Sequence, residues 1–271
     1  MADPGANRRS RDSVANTLIV AVSLSLVCSV LVAGTAVFLK PIQLQNEADY
    51  RQRIILDVAG LYEPGVDPGV AFAGIEARMV ELESGEYVDE PSVDTFDAQT
   101  FASDAELGIA IPADLDIAAI RRRARYAPVY LVREGNEIEQ IILPVYGSGL
   151  WSTMYGYLAL ENDARTVRGL RFYSHAETPG LGDQIDKPSW RSQWAGKKLF
   201  DDSGEIRIEV IRGTVATEAP AASADTAFQV DGLAGATLTG RGVTNLVHYW
   251  IGEHGFGPYL EQLQNDKGLQ P

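Results

Sequence analysis

The sequence predicts an α+β fold: an N-terminal transmembrane helix followed by a largely antiparallel sheet domain with flanking helices. Three observations carry this. A stretch without a single charge runs from Ser13 to Leu39, against the ~20 apolar residues that cross a hydrocarbon core of ~30 Å. Short β-branched and aromatic runs are then joined by tight turns, as in strands that neighbour each other in both sequence and sheet. Near the C-terminus, Val243, Leu246, Val247, Trp250 and Ile251 fall on one stripe of a helix.

The apolar segment exceeds the ~7 to 15 residues of a cleavable signal peptide and is expected to stay as an anchor. Arg8, Arg9 and Arg11 precede it, whereas Lys40 is followed by Glu47 and Asp49. Basic residues favour the cytoplasmic side, so the body of the chain is expected outside, in a bacterium the periplasm. The expected organisation is a leader over 1–12, a transmembrane helix over 13–39, a membrane-proximal α+β region over 40–125 and a ligand-bearing domain over 126–271.

Tyr50, Ile54, Val58 and Leu61 fall at helical spacing and predict a short helix leading out of the membrane, stopped by Gly60 and "EPGVDPG". "ARMVELESGEYV" reads as two strands about Ser84-Gly85, and "PVYLVREGNEIEQIILPV" as a hairpin turning at Gly135-Asn136. The basic run Arg121 to Arg125 between them reads as a solvated helix end, or as a patch for an acidic partner or lipid headgroups. "YGYLAL" and "VRGLRFYS" add strands, and Pro188 opens a helix that sets Trp190 and Trp194 one turn apart in the core. "EIRIEVIRG" predicts a half-buried strand with Ile206, Ile208 and Val210 on one face. Residues 214 to 227, "TVATEAPAASADTA", predict a loop, the most mobile in the chain.

A net charge of −14 argues against nucleic acid, whose phosphates are bound by Lys and Arg. The single cysteine, Cys28, has no partner for an intramolecular disulfide, and His175, His248 and His254 share no metal-ligand spacing, so no metal is assigned.

The stretch "DGLAGATLTG", residues 231 to 240, has little that fills a core. It lies between a strand ending near Val230 and the helix after it, so Thr237 is expected in a bare loop and Thr239 in the N-cap region of that helix. On physical grounds three readings stand: a glycine-rich turn without ligand, reversible binding of a phosphate-bearing cofactor, or a phosphate carried by Thr237 itself. The nucleotide P-loop and dinucleotide glycine patterns are absent.

"DGLAGAT" resembles the D-x-x-[ST]-G-A-[ST] motif of the covalent-FMN domain family, in which a flavin transferase joins the FMN half of FAD to the last hydroxyl. By that resemblance Asp231, Gly235 and Ala236 match, Thr237 is the attachment residue, and Ala234 departs from the motif's Ser or Thr. "ETPGLG", residues 177 to 182, resembles a second loop of the same family, and "GSGLWSTMYG" resembles a block of the C subunits of sodium-translocating NADH:quinone oxidoreductases. "ILDVAGL", "RMVELESGEYV" and "RRRARYAPVYLV" are similar to the N-terminal half of those subunits, so the likeness covers nearly the whole chain.

The resemblance implies an electron-transfer subunit with FMN joined to Thr237, other subunits of a membrane NADH:quinone reductase complex as partners, and a flavin transferase during maturation. It places Glu177, Thr178, Gly180 and Leu181 beside the flavin: Glu177 accepts from the ring edge or caps the turn, Gly180 and Gly182 let the backbone approach, and Thr178 and Leu181 cover a ring face. Trp151 and Tyr155 are candidates for packing near the ring or in the core, and His175 for tuning it. The alternatives are the G subunit of the Rnf electron-transport complex, reversible FMN binding, and a membrane-anchored module without flavin.

Overall fold

The computed structural model describes residues 13–215 and 224–266. The arginines of the leader and residues 216–223 of the expected loop lie outside the described residues. The chain divides into two units, Met1–Tyr50 and Arg51–Pro271. The described part of the first is helical, and its helix is long and apolar enough to cross a membrane.

That helix, α1, runs Val14–Val58 without a break, so the expected transmembrane helix over 13–39 and the short helix leading out of it are one continuous helix. Pro41 lies inside it. The ring removes one N–H and leaves the carbonyl four residues earlier without its donor, a local loss that the regular turns on both sides outlast. From Arg51 on, Ile54, Ile55, Leu56 and Val58 are buried with Ile75, Val132, Ile142, Tyr157 and Ala159 on one side of a sheet.

Next come α2 (Pro68–Phe72), β1 (Ile75–Glu81), β2 (Tyr87–Val88), α3 (Ala98–Ser103), β3 (Gly108–Ala110), β4 (Arg122–Ala124), β5 (Tyr126–Glu134), β6 (Glu137–Ser148), β7 (Thr153–Glu161) and β8 (Val167–Ser174). The sheet has the order β2-β1-β5-β6-β7-β8 with every neighbour antiparallel. The hairpin of β5 and β6 turns at Gly135, whose φ of 62° is the left-handed conformation such turns require. The two regions divided at residue 125 share this sheet: β1 comes from one, β5 to β8 from the other.

Along β6, Ile141, Leu143 and Val145 bury on the second side while Ile142 buries on the first. Strand side chains alternate faces, so a sheet covered on both sides needs apolar residues at every position.

The basic run departs from its expected helix end. Arg122–Ala124 is β4, paired with β3. Arg123 is buried, and Arg122 donates to the carbonyls of Ala102, Asp104 and Gly108. The run therefore closes a loop from within.

After β8 follow α4 (Pro188–Arg191), β9 (Glu209–Val210), β10 (Gln229–Val230), α5 (Thr237–Ile251) and α6 (Gly257–Asp266). Trp190 and Trp194 are buried edge to face, 5.7 Å between ring centroids. The strand expected over 205–213 shrinks to β9, which pairs in parallel with β10. Side chains of α5 take the place of a neighbouring strand: Thr244 accepts from the Val210 N–H at 2.9 Å, and His248 Nε2 lies 2.5 Å from the Ile208 carbonyl. Residues Ala224–Phe228, at the end of the expected loop, form a 3-10 turn.

The second side of the sheet is covered by α5, whose stripe Val243, Leu246, Val247, Trp250 and Ile251 is fully buried. Two glycines set its distance. A Cβ at Gly147 would lie 2.5 Å from the Cβ of Leu246, and one at Gly242 would lie 2.6 Å from the Ser148 carbonyl. The N-terminal end of α5 is thereby pressed against the end of the β6–β7 hairpin.

Candidate functional site

Three segments far apart in sequence meet there: the hairpin end Gly149–Ser152, the loop 175–182 after β8, and the first turn of α5. Glu177 joins them. Its side chain is buried, one oxygen accepting from the N–H groups of Leu150 at 2.8 Å and Trp151 at 3.2 Å, the other from the Thr239 hydroxyl at 2.5 Å. A carboxylate taken out of water is stable only when donors replace the water it loses, and both of its oxygens are supplied.

Two glycines make room for it. A Cβ at Gly149 would overlap Glu177 Oε1; one at Gly182 would sit 2.7 Å from Oε2 and 2.8 Å from the Thr239 hydroxyl. Gly182 thus clears space for the carboxylate, a different task from the approach to a ring expected of it. Gly180 has φ 79° and open space around it, so it serves the turn.

Thr239 is corrected as well. The helix begins at Thr237 with Ala236 as N-cap and no side-chain cap bond, and Thr239 is a fully buried residue of the first turn that donates to Glu177. Thr237 is the first residue of α5 and exposed, so its hydroxyl meets solvent.

Around Thr237 the motif residues divide. Gly235 has φ 74°, and a Cβ there would lie 3.0 Å from Leu181 Cδ2, so the two motif loops touch at this point. Trp151 is 68% exposed, its ring held by an Nε1 donation to the Thr178 hydroxyl at 2.9 Å. Ala236 is buried. Asp231 faces elsewhere: its carboxylate accepts from Gln193 Nε2 at 3.1 Å and the Val215 N–H at 2.6 Å, and its carbonyl from Trp190 at 2.9 Å. It fixes the loop to the α4 region from behind.

His175 sits under the loop, Nε2 at 2.8 Å from Asp186 and Nδ1 accepting from the Glu177 N–H at 3.2 Å. It orients the backbone that carries Glu177. Tyr155 stacks on Tyr146, 5.5 Å between centroids, and belongs to the sheet surface.

Sequence reasoning missed the Glu177–Thr239 bond, the exposed Leu150 and Leu238, and a cleft of about 370 Å³ beside Thr237 lined by Arg212, Leu233, Arg241 and Thr244 among others. Each depends on contacts across long sequence separation, which no local pattern records. The residues present fit a phosphate-linked flavin. The site has an exposed hydroxyl, a backbone stripped of side chains at Gly235, exposed flat and branched apolar groups at Trp151 and Leu181, and a cleft with two cations.

These features define an FMN-binding domain, and the family model of that description matches residues 149–252, from the hairpin end to the end of α5. The chain is 47% identical to the C subunit of the Na+-translocating NADH-quinone reductase of Yersinia pestis, over 94% of this chain and 95% of that one. It is 46% identical to the corresponding subunit of Pseudomonas aeruginosa, over 94% and 98%. The crystal structure of NqrC from Shewanella oneidensis matches with a TM-score of 0.71 at 34% identity, covering 79% of this chain and 96% of that one. The chain belongs to the NqrC family, the C subunits of the Na+-translocating NADH-quinone reductases.

Proposed function

We propose that Thr237 carries FMN through a phosphoester and that this subunit passes electrons from NADH towards quinone within a sodium-exporting membrane complex. The observation that carries the reading is the exposed Thr237 hydroxyl at the point where the hairpin end, the 175–182 loop and α5 are clasped by Glu177. In the attachment step, catalysed by a flavin transferase, the Thr237 oxygen attacks the FMN phosphorus of FAD. The pyrophosphate bond breaks, AMP leaves, and the hydroxyl proton passes to a base of the transferase. Ala234, which stands where the motif has a Ser or Thr hydroxyl, is exposed three residues before Thr237.

The flavin supplies the uptake and release of single electrons. The chain's own residues do the rest. Leu181 and Trp151 offer apolar surface to a ring, Thr178 holds the Trp151 indole in place, and Glu177 keeps the loops at fixed separation. A tether keeps the local concentration of the cofactor high where a dissociated flavin would be lost. The helix α1 anchors the subunit, with the leader cytoplasmic and the body periplasmic, and the other subunits of the reductase are its partners.

Boiling the full chain in SDS after co-expression with a flavin transferase tests the attachment. In-gel flavin fluorescence is expected for the natural chain and for Thr237→Ser, and none for Thr237→Val. Fluorescence retained in Thr237→Val would move the attachment elsewhere; colour that washes away would make the binding reversible.

A further inference from the structure

We propose that Arg241, assisted by Arg212, is the cation that holds the phosphate joining the flavin to Thr237; this deepens the covalent reading above and rests on it. The cleft of about 370 Å³ beside Thr237 is walled by the segment Glu209 to Arg212 on one side and by Thr237, Arg241 and Thr244 of α5 on the other. Arg241 is four residues beyond Thr237 on the same helix, the spacing at which side chains share one face. Arg212 reaches the same cleft from the segment after β9.

Neither of the two guanidiniums on this cleft is committed to another group. Arg122 is committed to three carbonyls, Arg133 to Glu76, Arg171 and Arg191 to Asp57, Arg168 to Glu161, and Arg207 to Asp201 and Asp225. Among the described residues, the guanidiniums of Arg212 and Arg241 have neither a carboxylate nor a hydrogen-bond partner. In a chain of net charge −14, two uncommitted guanidiniums on one small cleft are an unusual use of positive charge.

The rest of the wall does not compete for them. Glu209, the one carboxylate on it, accepts from Gln229 Nε2 at 3.1 Å. The Thr244 hydroxyl is used by the Val210 N–H and the Gly240 carbonyl. Val210 and Leu233 are apolar.

The ligand chemistry follows. A guanidinium presents paired donors that match two oxygens of one phosphate, and it stays charged at every physiological pH. A phosphodiester keeps one negative charge and two free oxygens, so it satisfies one guanidinium as a fork and leaves the second as a flanking charge. With Thr237 as the bridging oxygen, the phosphate is confined to the neighbourhood of this hydroxyl, where Arg241 lines the same cleft one turn along α5. Arg241 is on this account a positioning residue for the linkage.

The test uses the full chain in detergent. Unlabelled chain is titrated with FMN and with riboflavin, which lacks the phosphate, by quenching of flavin fluorescence. FMN is expected to bind at least tenfold more tightly than riboflavin, and Arg241→Gln to remove most of that preference while leaving riboflavin unchanged. Arg241→Lys should restore part of it, and Arg212→Gln should have the smaller effect. In chain labelled on Thr237, the phosphorus-31 resonance should lie away from that of the same flavinylated peptide released by proteolysis, and Arg241→Gln should move it towards the peptide value. Equal affinity for FMN and riboflavin, or a phosphorus resonance that ignores Arg241→Gln, overturns the proposal. An unmodified Thr237 overturns the covalent reading instead, and the FMN-to-riboflavin ratio then decides the role of Arg241 without it.

Discussion

Glu177 is the residue on which the site turns: of the two tasks expected of it, the capping of a turn is the one its bonds to the Leu150 and Trp151 N–H groups resemble. It binds protein donors with both oxygens, so it holds together the three segments that meet beside Thr237. Glu177→Ala leaves the Thr239 hydroxyl and two N–H groups without their acceptor and is expected to cost about 2 kcal/mol in urea unfolding. Glu177→Gln keeps one acceptor towards Leu150 and offers an amide to Thr239, and should cost roughly half of that. Equal losses for the two would show that charge, not hydrogen bonding, is what the site needs. Leu181→Ala removes the side chain that meets Gly235 but leaves Thr237 untouched. It should keep the covalent flavin and shift its absorption spectrum or reduction potential; an unchanged spectrum and potential would place Leu181 outside the flavin contact.

Between elements, the spacing of the loop and α5 is set by glycines without a positive φ. Gly182→Ala puts a methyl within 2.8 Å of both Glu177 and Thr239, and such overpacking costs about 1–3 kcal/mol. Gly180→Ala has open space but φ 79°, and should cost about 1 kcal/mol. Thermal unfolding of the two variants separates crowding from backbone strain: Gly182→Ala is expected to lower Tm more. A larger drop for Gly180→Ala would make the turn, not the carboxylate space, the stricter constraint.

The same scale shows which parts of the fold are legible in a sequence. The hairpin of β5 and β6 was legible because Gly135-Asn136 is a local signal with a local cause, as was the buried stripe of α5. The continuation of α1 through Pro41 was not, since an interior proline is a local break signal, although the Gln, Leu, Glu, Ala and Arg residues after it favour a helix. The shortened β9 and the paired Arg122–Ala124 strand were hidden because their partners, α5 side chains and the carbonyls near α3, are distant in sequence. The site follows suit. The GAT and ETPGLG motifs are local patterns whose loops meet where Gly235 faces Leu181, whereas the clasp between Glu177 and Thr239 and the cleft with Arg241 exist only once the fold brings them together.

For the whole molecule, the long apolar helix and the family fit a membrane-anchored subunit of a reductase complex. The basic leader argues that the body lies in the periplasm. A reporter active only outside the cytoplasm, fused after Pro271, should therefore be active, and activity of a cytoplasmic reporter alone would reverse the orientation. The central claim is that the cofactor is part of the covalent chain, and mass spectrometry of the peptide containing Thr237, from protein isolated in active complex, tests it most directly. The account predicts a mass increase of one FMN on that peptide, dependent on a flavin transferase; an unmodified Thr237 peptide from active complex would contradict it.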